Sequence, residues 1–123
     1  MKKEKSYFAD SSFLIDLVQE NKNAVKIAKN SELIVTSILC VYELSKLIDF
    51  DKKKLEQNKI VKPTIEEVQK AGEIYRDLKQ RGEMVNQIDI LISSQSINRN
   101  LELLTADKDF KKIKGLETLY YRD

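Results

Sequence analysis

The chain has 123 residues, with 22 Lys and Arg against 20 Asp and Glu, a net charge of +2, and no histidine. The missing imidazole excludes histidine-based triads and general bases and the usual zinc or iron ligand sets. Three glycines leave no P-loop and no G-x-G-x-x-G fingerprint, and the lone Cys40 excludes an intrachain disulfide and a CxxC zinc site.

The length fits one domain, expected to span residues 1–123, with a core large enough to fold unaided. No apolar run approaches the ~18 residues that a membrane span needs. The opening "MKKEKSYFAD" is basic, lacks the apolar core of a signal peptide and passes straight into a strand-like segment. A cytoplasmic location with no membrane partner is therefore expected, with Cys40 a buried, inert thiol.

In chain order, "SYFAD" reads as a first strand that Asp10 terminates. "SSFLIDLVQE" follows as a helix capped by Ser11 or Ser12, and "NAVKIAK" as a second short helix. "ELIVT" is a second strand, centred on Leu33 to Val35. From Ser37 to Phe50 the spacing of Ile38, Val41, Leu44, Leu47 and Ile48 is helical. The lysine-rich "DFDKKKLEQNKIVKP" reads as a polar helical extension or connector ending at Pro63.

Thr64 and Glu67 form a capping-box pattern that opens a periodic helix through Ile65, Val68, Ala71, Tyr75 and Leu78, with Gly82 placed to end it. "NQIDILISSQSINRN" is a further, mostly buried helix. "LELLT" is a third strand and "LETLYY" a fourth. Strands alternating with helices, without two-residue hairpin turns, predict an α/β fold around a mainly parallel sheet.

In such sheets, ligands bind outside the carboxyl ends of the strands. Asp10 ends the first strand, and Asp107 and Asp109 lie just past "LELLT". Glu43 falls within the apolar arc of its helix, and Asp89 stands among Ile88, Ile90, Leu91 and Ile92. Each acid has an ordinary structural explanation: a surface salt bridge for Glu43, a helix-dipole partner for Asp89, and caps or turns for Asp10, Asp107 and Asp109. All of these explanations holding at once is a larger coincidence than a single cluster. Clustered carboxylates repel one another or protonate unless a cation compensates them. Mg²⁺ or Mn²⁺ suits all-oxygen ligands, lowers the pKa of a bound water and stabilises charge on a phosphoryl group. The lysines of "DKKKLEQNK" and "DFKKIK" read as solvated surface or as attraction for a nucleic-acid backbone.

These residues resemble the PIN-domain nucleases, in particular the VapC-like toxins of type II toxin–antitoxin systems. "FADSSFLIDL" is similar to the family's opening strand, acid and hydroxyl; "SILCVYEL" to its glutamate-bearing helix; and "IDILISSQSINRNLELLTADKDF" to its closing block. The resemblance covers nearly the whole chain. It implies a three-layer α/β/α fold with about four or five strands and a Mg²⁺- or Mn²⁺-dependent endoribonuclease acting on RNA. It further implies a homodimer and a cognate antitoxin protein. On this resemblance Asp10 and Asp89 are the chief metal ligands, with Glu43 and Asp107 direct or water-mediated and Asp109 accessory. Ser12 and Thr105 support the acids. The presence of both Asp107 and Asp109 leaves the fourth acid open between them.

Two other functions compete. The same fold could serve RNA processing or maturation without a toxin role. A phospho-receiver module also places acids and Mg²⁺ at strand ends, but it needs a phosphoacceptor aspartate after its middle strand and a lysine after its fifth.

Overall fold

The computed structural model describes residues 5–122. The basic residues 1–4, which bear on the leader-peptide reading, and residue 123 lie outside the described residues. The elements run β1 (Lys5–Ala9), α1 (Ser11–Val18), α2 (Lys22–Asn30), β2 (Ser31–Ser37), α3 (Ile38–Leu47), β3 (Lys59–Val61), α4 (Ile65–Arg81), α5 (Gln87–Asn98), β4 (Glu102–Thr105) and β5 (Thr118–Tyr120). Short 3-10 helices occupy Lys52–Leu55 and Lys108–Lys112.

The five strands form one sheet in the order β3-β2-β1-β4-β5, and every pairing is parallel. Consecutive strand residues point to opposite faces. Phe8 with Ala9, and Leu103 with Leu104, are all fully buried, so both sheet faces are covered. That is the α/β layering expected from the sequence. The strand order also differs from the 2-1-3-4-5 order of receiver domains, which removes that alternative.

Three local expectations are corrected. The lysine-rich connector is not a helical extension: α3 stops at Leu47, a 3-10 turn follows, and Lys59–Val61 pairs with β2 as an edge strand. Three residues, two of them exposed, carry too little alternation to announce a strand. The cap of α1 is Asp10, whose side chain accepts from the Phe13 N–H, while the Ser11 and Ser12 hydroxyls are used elsewhere. On α3 only Cys40 and Leu44 are buried, and Ile38 and Leu47 of the expected apolar stripe face outward.

The long helices are held as their sequences indicate. Thr64 and Glu67 close a reciprocal capping box, and Gly82 ends α4 at φ 68°, a conformation that favours glycine. Glu67 is fully buried, accepts from Asn98 Nδ2 at 3.1 Å and pairs with Arg99 at 3.0 Å, which binds the start of α4 to the end of α5. At the other edge Asp16 of α1 takes the Tyr121 hydroxyl at 2.6 Å and two Arg122 nitrogens at 2.8 Å, anchoring the chain beyond β5. The two ties hold α4 to α5 and α1 to the segment after β5.

Candidate active site

The strand order reverses between β1 and β4, and crevices at such switch points are where open α/β sheets bind ligands. Asp10 leaves β1 there. Its Oδ1 accepts from the Ser12 hydroxyl at 2.7 Å and the Phe13 N–H at 3.0 Å; its Oδ2 accepts from the Thr105 hydroxyl of β4 at 2.5 Å. The bond to Thr105 thus spans the crevice. Ala9 pairs with Leu104, Thr36 with Ala9 and Thr105 with Tyr120. Continuing that register one residue past Ala9 sets Ser37, Asp10, Thr105 and Tyr120 in one row along the rim, side chains on one face.

Two hydroxyls carry the network outward. Ser12 Oγ accepts from the Ala106 N–H at 3.0 Å, and Thr105 Oγ1 accepts from the Asp107 N–H at 2.9 Å. The β4 exit loop is thereby stitched to the start of α1. Asp107 caps the following 3-10 helix by accepting from the Asp109 N–H at 2.9 Å. Asp109 sits beyond that turn and pairs with Lys112 at 3.5 Å.

Glu43 projects from α3 and accepts the Ser11 hydroxyl at 2.9 Å. Asp89, in the first turn of α5, makes no side-chain hydrogen bond or ion pair among the described residues. Burial raises its pKa to about 7, reinforced by repulsion from Glu43, Asp107, Asp10 and Asp109, in that order. Burial likewise lifts Asp10 to about 6, against the pull of Thr105, Phe13 and Ser12 and with some repulsion from Asp107. Acids from four separate stretches of the chain therefore act on one another in one region. The structure brings Asp10, Ser12, Thr105 and Asp107 into a single hydrogen-bonded network. Glu43, held by Ser11, and Asp89 stand outside that network and are coupled to it by charge repulsion, as is Asp109.

Sequence reasoning overlooked the use of Ser11. The pair of hydroxyls directly after the acid was the available signal: one holds Asp10 and the other holds Glu43. It also underused Tyr120, which shares the rim row.

Among the described residues, no three Asp, Glu or Cys side chains stand ready to hold one ion by themselves. Mg²⁺ does not require three: it keeps several waters and takes one or two carboxylates. Among the described residues, Asp10, Glu43, Asp89 and Asp107 form no ion pair with Lys or Arg. The donor set, all oxygen and uncompensated, fits a hard divalent cation.

The PIN domain family model matches residues 7–116. The chain belongs to the PIN domain family. Its fold is that of VapC toxins in solved toxin–antitoxin complexes. VapBC2 from Rickettsia felis, solved with a DNA fragment from its promoter, matches with a TM-score of 0.79 at 24% identity, over 93% of this chain and 97% of that one. VapBC-1 from nontypeable Haemophilus influenzae matches at 0.77 and 21% identity, over 94% and 98%. FitAcB from Neisseria gonorrhoeae matches at 0.72 and 19%, over 92% and 96%. At these identities the likeness is one of fold. A comparison with curated protein sequences finds no significant match.

Proposed function

We propose that this PIN domain is a Mg²⁺- or Mn²⁺-dependent endoribonuclease and the toxin of a VapBC-type pair. What supports the reading is the mutual repulsion of Asp10, Glu43, Asp89 and Asp107 near the switch point, with none of them paired to a Lys or Arg among the described residues. In the proposed site Asp10 and Asp89 hold the metal, Glu43 and Asp107 bind it directly or through water, and Asp109 is an outer acid. When bound, the cation neutralises phosphoryl charge and lowers the pKa of a coordinated water.

The chain's own groups set the geometry for that chemistry. An ionised carboxylate offers about four acceptor sites. Three of those on Asp10 are taken by Thr105, Ser12 and Phe13. The carboxylate is therefore locked in one rotamer with an acceptor to spare. Ser11 does the same for Glu43 Oε1 and leaves Oε2 without a hydrogen bond among the described residues. Asp89 brings a carboxylate with no competing partner, and deprotonating it is favoured once positive charge enters the crevice.

Partners are proposed on the same footing: a homodimer and a cognate antitoxin. Exposed Ile38, Tyr42 and Leu47 on α3, with Ile60 of β3 and Ile65 and Val68 on α4, support protein contacts. Among the described residues no helix is long and apolar enough to cross a membrane; a cytoplasmic location is proposed with the toxin reading. Incubating purified protein with structured RNAs, with and without Mg²⁺ or Mn²⁺, tests the activity. Cleavage should need the metal and vanish in Asp10→Asn and Asp89→Asn. Induction in a host should arrest growth, and relief by the neighbouring gene's product separates the toxin from an RNA-processing enzyme.

A further inference from the structure

Four acids that repel one another near the switch point, none paired to a Lys or Arg among the described residues, also repel the polyanion proposed to be cut there. RNA binding there therefore calls for fixed positive charge beside the acids rather than among them. One cluster meets that need. Lys108 Nζ lies 3.9 Å from the centroid of the Tyr120 ring, and Lys111 Nζ lies 5.3 Å from the same centroid. Both lysines are exposed, and neither forms an ion pair among the described residues, although Asp107 and Asp109 are neighbours in sequence. Lys112, next along, is the one that pairs with Asp109.

The seat for these ammoniums is built into the sheet. Tyr120 ends β5 in register with Thr105, so its backbone lies one strand spacing, about 4.8 Å, from the residue that grips Asp10. The Tyr120 hydroxyl is buried, so the ring is set inward and what it offers outward is its π face. The 3-10 helix Lys108–Lys112, capped by Asp107, delivers both lysines to that face. A π face orients an ammonium without neutralising it as a carboxylate would. The two charges are held in place and remain available to an anion.

We propose that Lys108 and Lys111, seated on Tyr120, anchor a backbone phosphate of the RNA next to the one placed at the acids. This rests on the nuclease reading above and adds to it a polarity: the substrate strand leaves the crevice over β5. The lysines are binding residues; they do not touch the reacting atoms.

The test is fluorescence anisotropy with a short fluorescein-labelled single-stranded RNA in EDTA, titrated at several salt concentrations. Lys108→Ala/Lys111→Ala should bind about tenfold more weakly. Its slope of log affinity against log salt should be shallower by about 0.7, the contribution of one single-strand phosphate contact. Lys26→Ala, far along the chain on α2, should bind like the parent. With Mn²⁺ present, the double variant should raise KM and leave kcat unchanged. Unchanged affinity and slope in the double variant would overturn the proposal, as would a parent protein that does not bind RNA. Lysine-dependent RNA binding without metal-dependent cleavage would sink the nuclease reading and leave the anchor standing. Cleavage with an unaltered double variant would do the reverse.

Discussion

Asp10 and Thr105 meet across the point where the strand order reverses, joined by a hydroxyl-to-carboxylate hydrogen bond of 2.5 Å. Thr105 is fully buried, and the same hydroxyl accepts from the Asp107 N–H. One side chain thus orients one acid and the backbone of another. Thr105→Val keeps the shape and removes both bonds. We expect it to cost about 2 kcal/mol of stability, as for a hydrogen bond to a charged group, and to lower kcat about tenfold or more. Thr105→Ser should restore most of the activity, which a loss of packing alone would not allow. Denaturant unfolding and steady-state RNA cleavage measure the two effects.

Asp89 is an unpartnered carboxylate facing four others, so its charge opposes folding. Asp89→Asn should raise the melting temperature of the metal-free protein at pH 7.5 while abolishing metal-dependent cleavage by at least a hundredfold. Gains in stability at the expense of activity are typical of functional sites. A variant that is both less stable and fully active would show that Asp89 is an ordinary helix residue.

The pH dependence follows from the same two acids. Asp10 is raised to about 6 and Asp89 to about 7. Between about pH 4 and pH 7 the metal-free folded state therefore holds protons that the unfolded chain has released, so stability falls as pH rises through that window. Asp16 and Glu67 shift the other way. Burial opposes ionising either, but Arg122 and Tyr121 outweigh it at Asp16, as Thr64, Arg99 and Asn98 do at Glu67. Their contribution is complete above the ordinary carboxylate range and is lost only as pH falls below it. In EDTA the melting temperature should thus be higher near pH 5 than at pH 8, and Mn²⁺ should raise it more at pH 8, where protons do not compete. A melting temperature that climbs from pH 5 to pH 8 without metal would contradict the crowding of acids.

Glu67 and Arg99 provide a structural contrast. Removing one partner of a buried pair leaves an unpaired charge, so Glu67→Ala or Arg99→Ala should destabilise by about 3 kcal/mol. Activity per folded molecule should be unchanged, because the pair joins α4 to α5 away from the crevice. Comparing chemical denaturation with cleavage rates at low temperature separates this class from the Thr105 variants.

Much of this was legible in the residues. β1, β2 and β4 announced themselves because they are buried on both faces and read as apolar runs, and the Thr64–Glu67 box named the start of α4. β3 was hidden because an edge strand of three residues between lysines has no pattern to show. The outward stripe of α3 misled for a related reason: apolar spacing reports a helix, but cannot say whether the chain's own core or another surface covers that face. At the site, Asp10, Glu43 and Asp89 stood out as acids in apolar surroundings. The roles of Asp107 and Asp109 depend on a single turn: Asp107 gives its backbone N–H to Thr105 and its carboxylate to the cap, while Asp109 pairs with Lys112. The serines are the least predictable part, since their roles depend on rotamers that spacing does not encode.

The most direct measurement is calorimetric titration of Mn²⁺ into the metal-free protein at pH 7.5, alongside Asp10→Asn and Asp89→Asn. Saturable binding by the parent, proton release on binding and a loss of at least tenfold in affinity in each variant are expected. Binding that is absent in the parent, or identical in all three proteins, would contradict the proposed metal site.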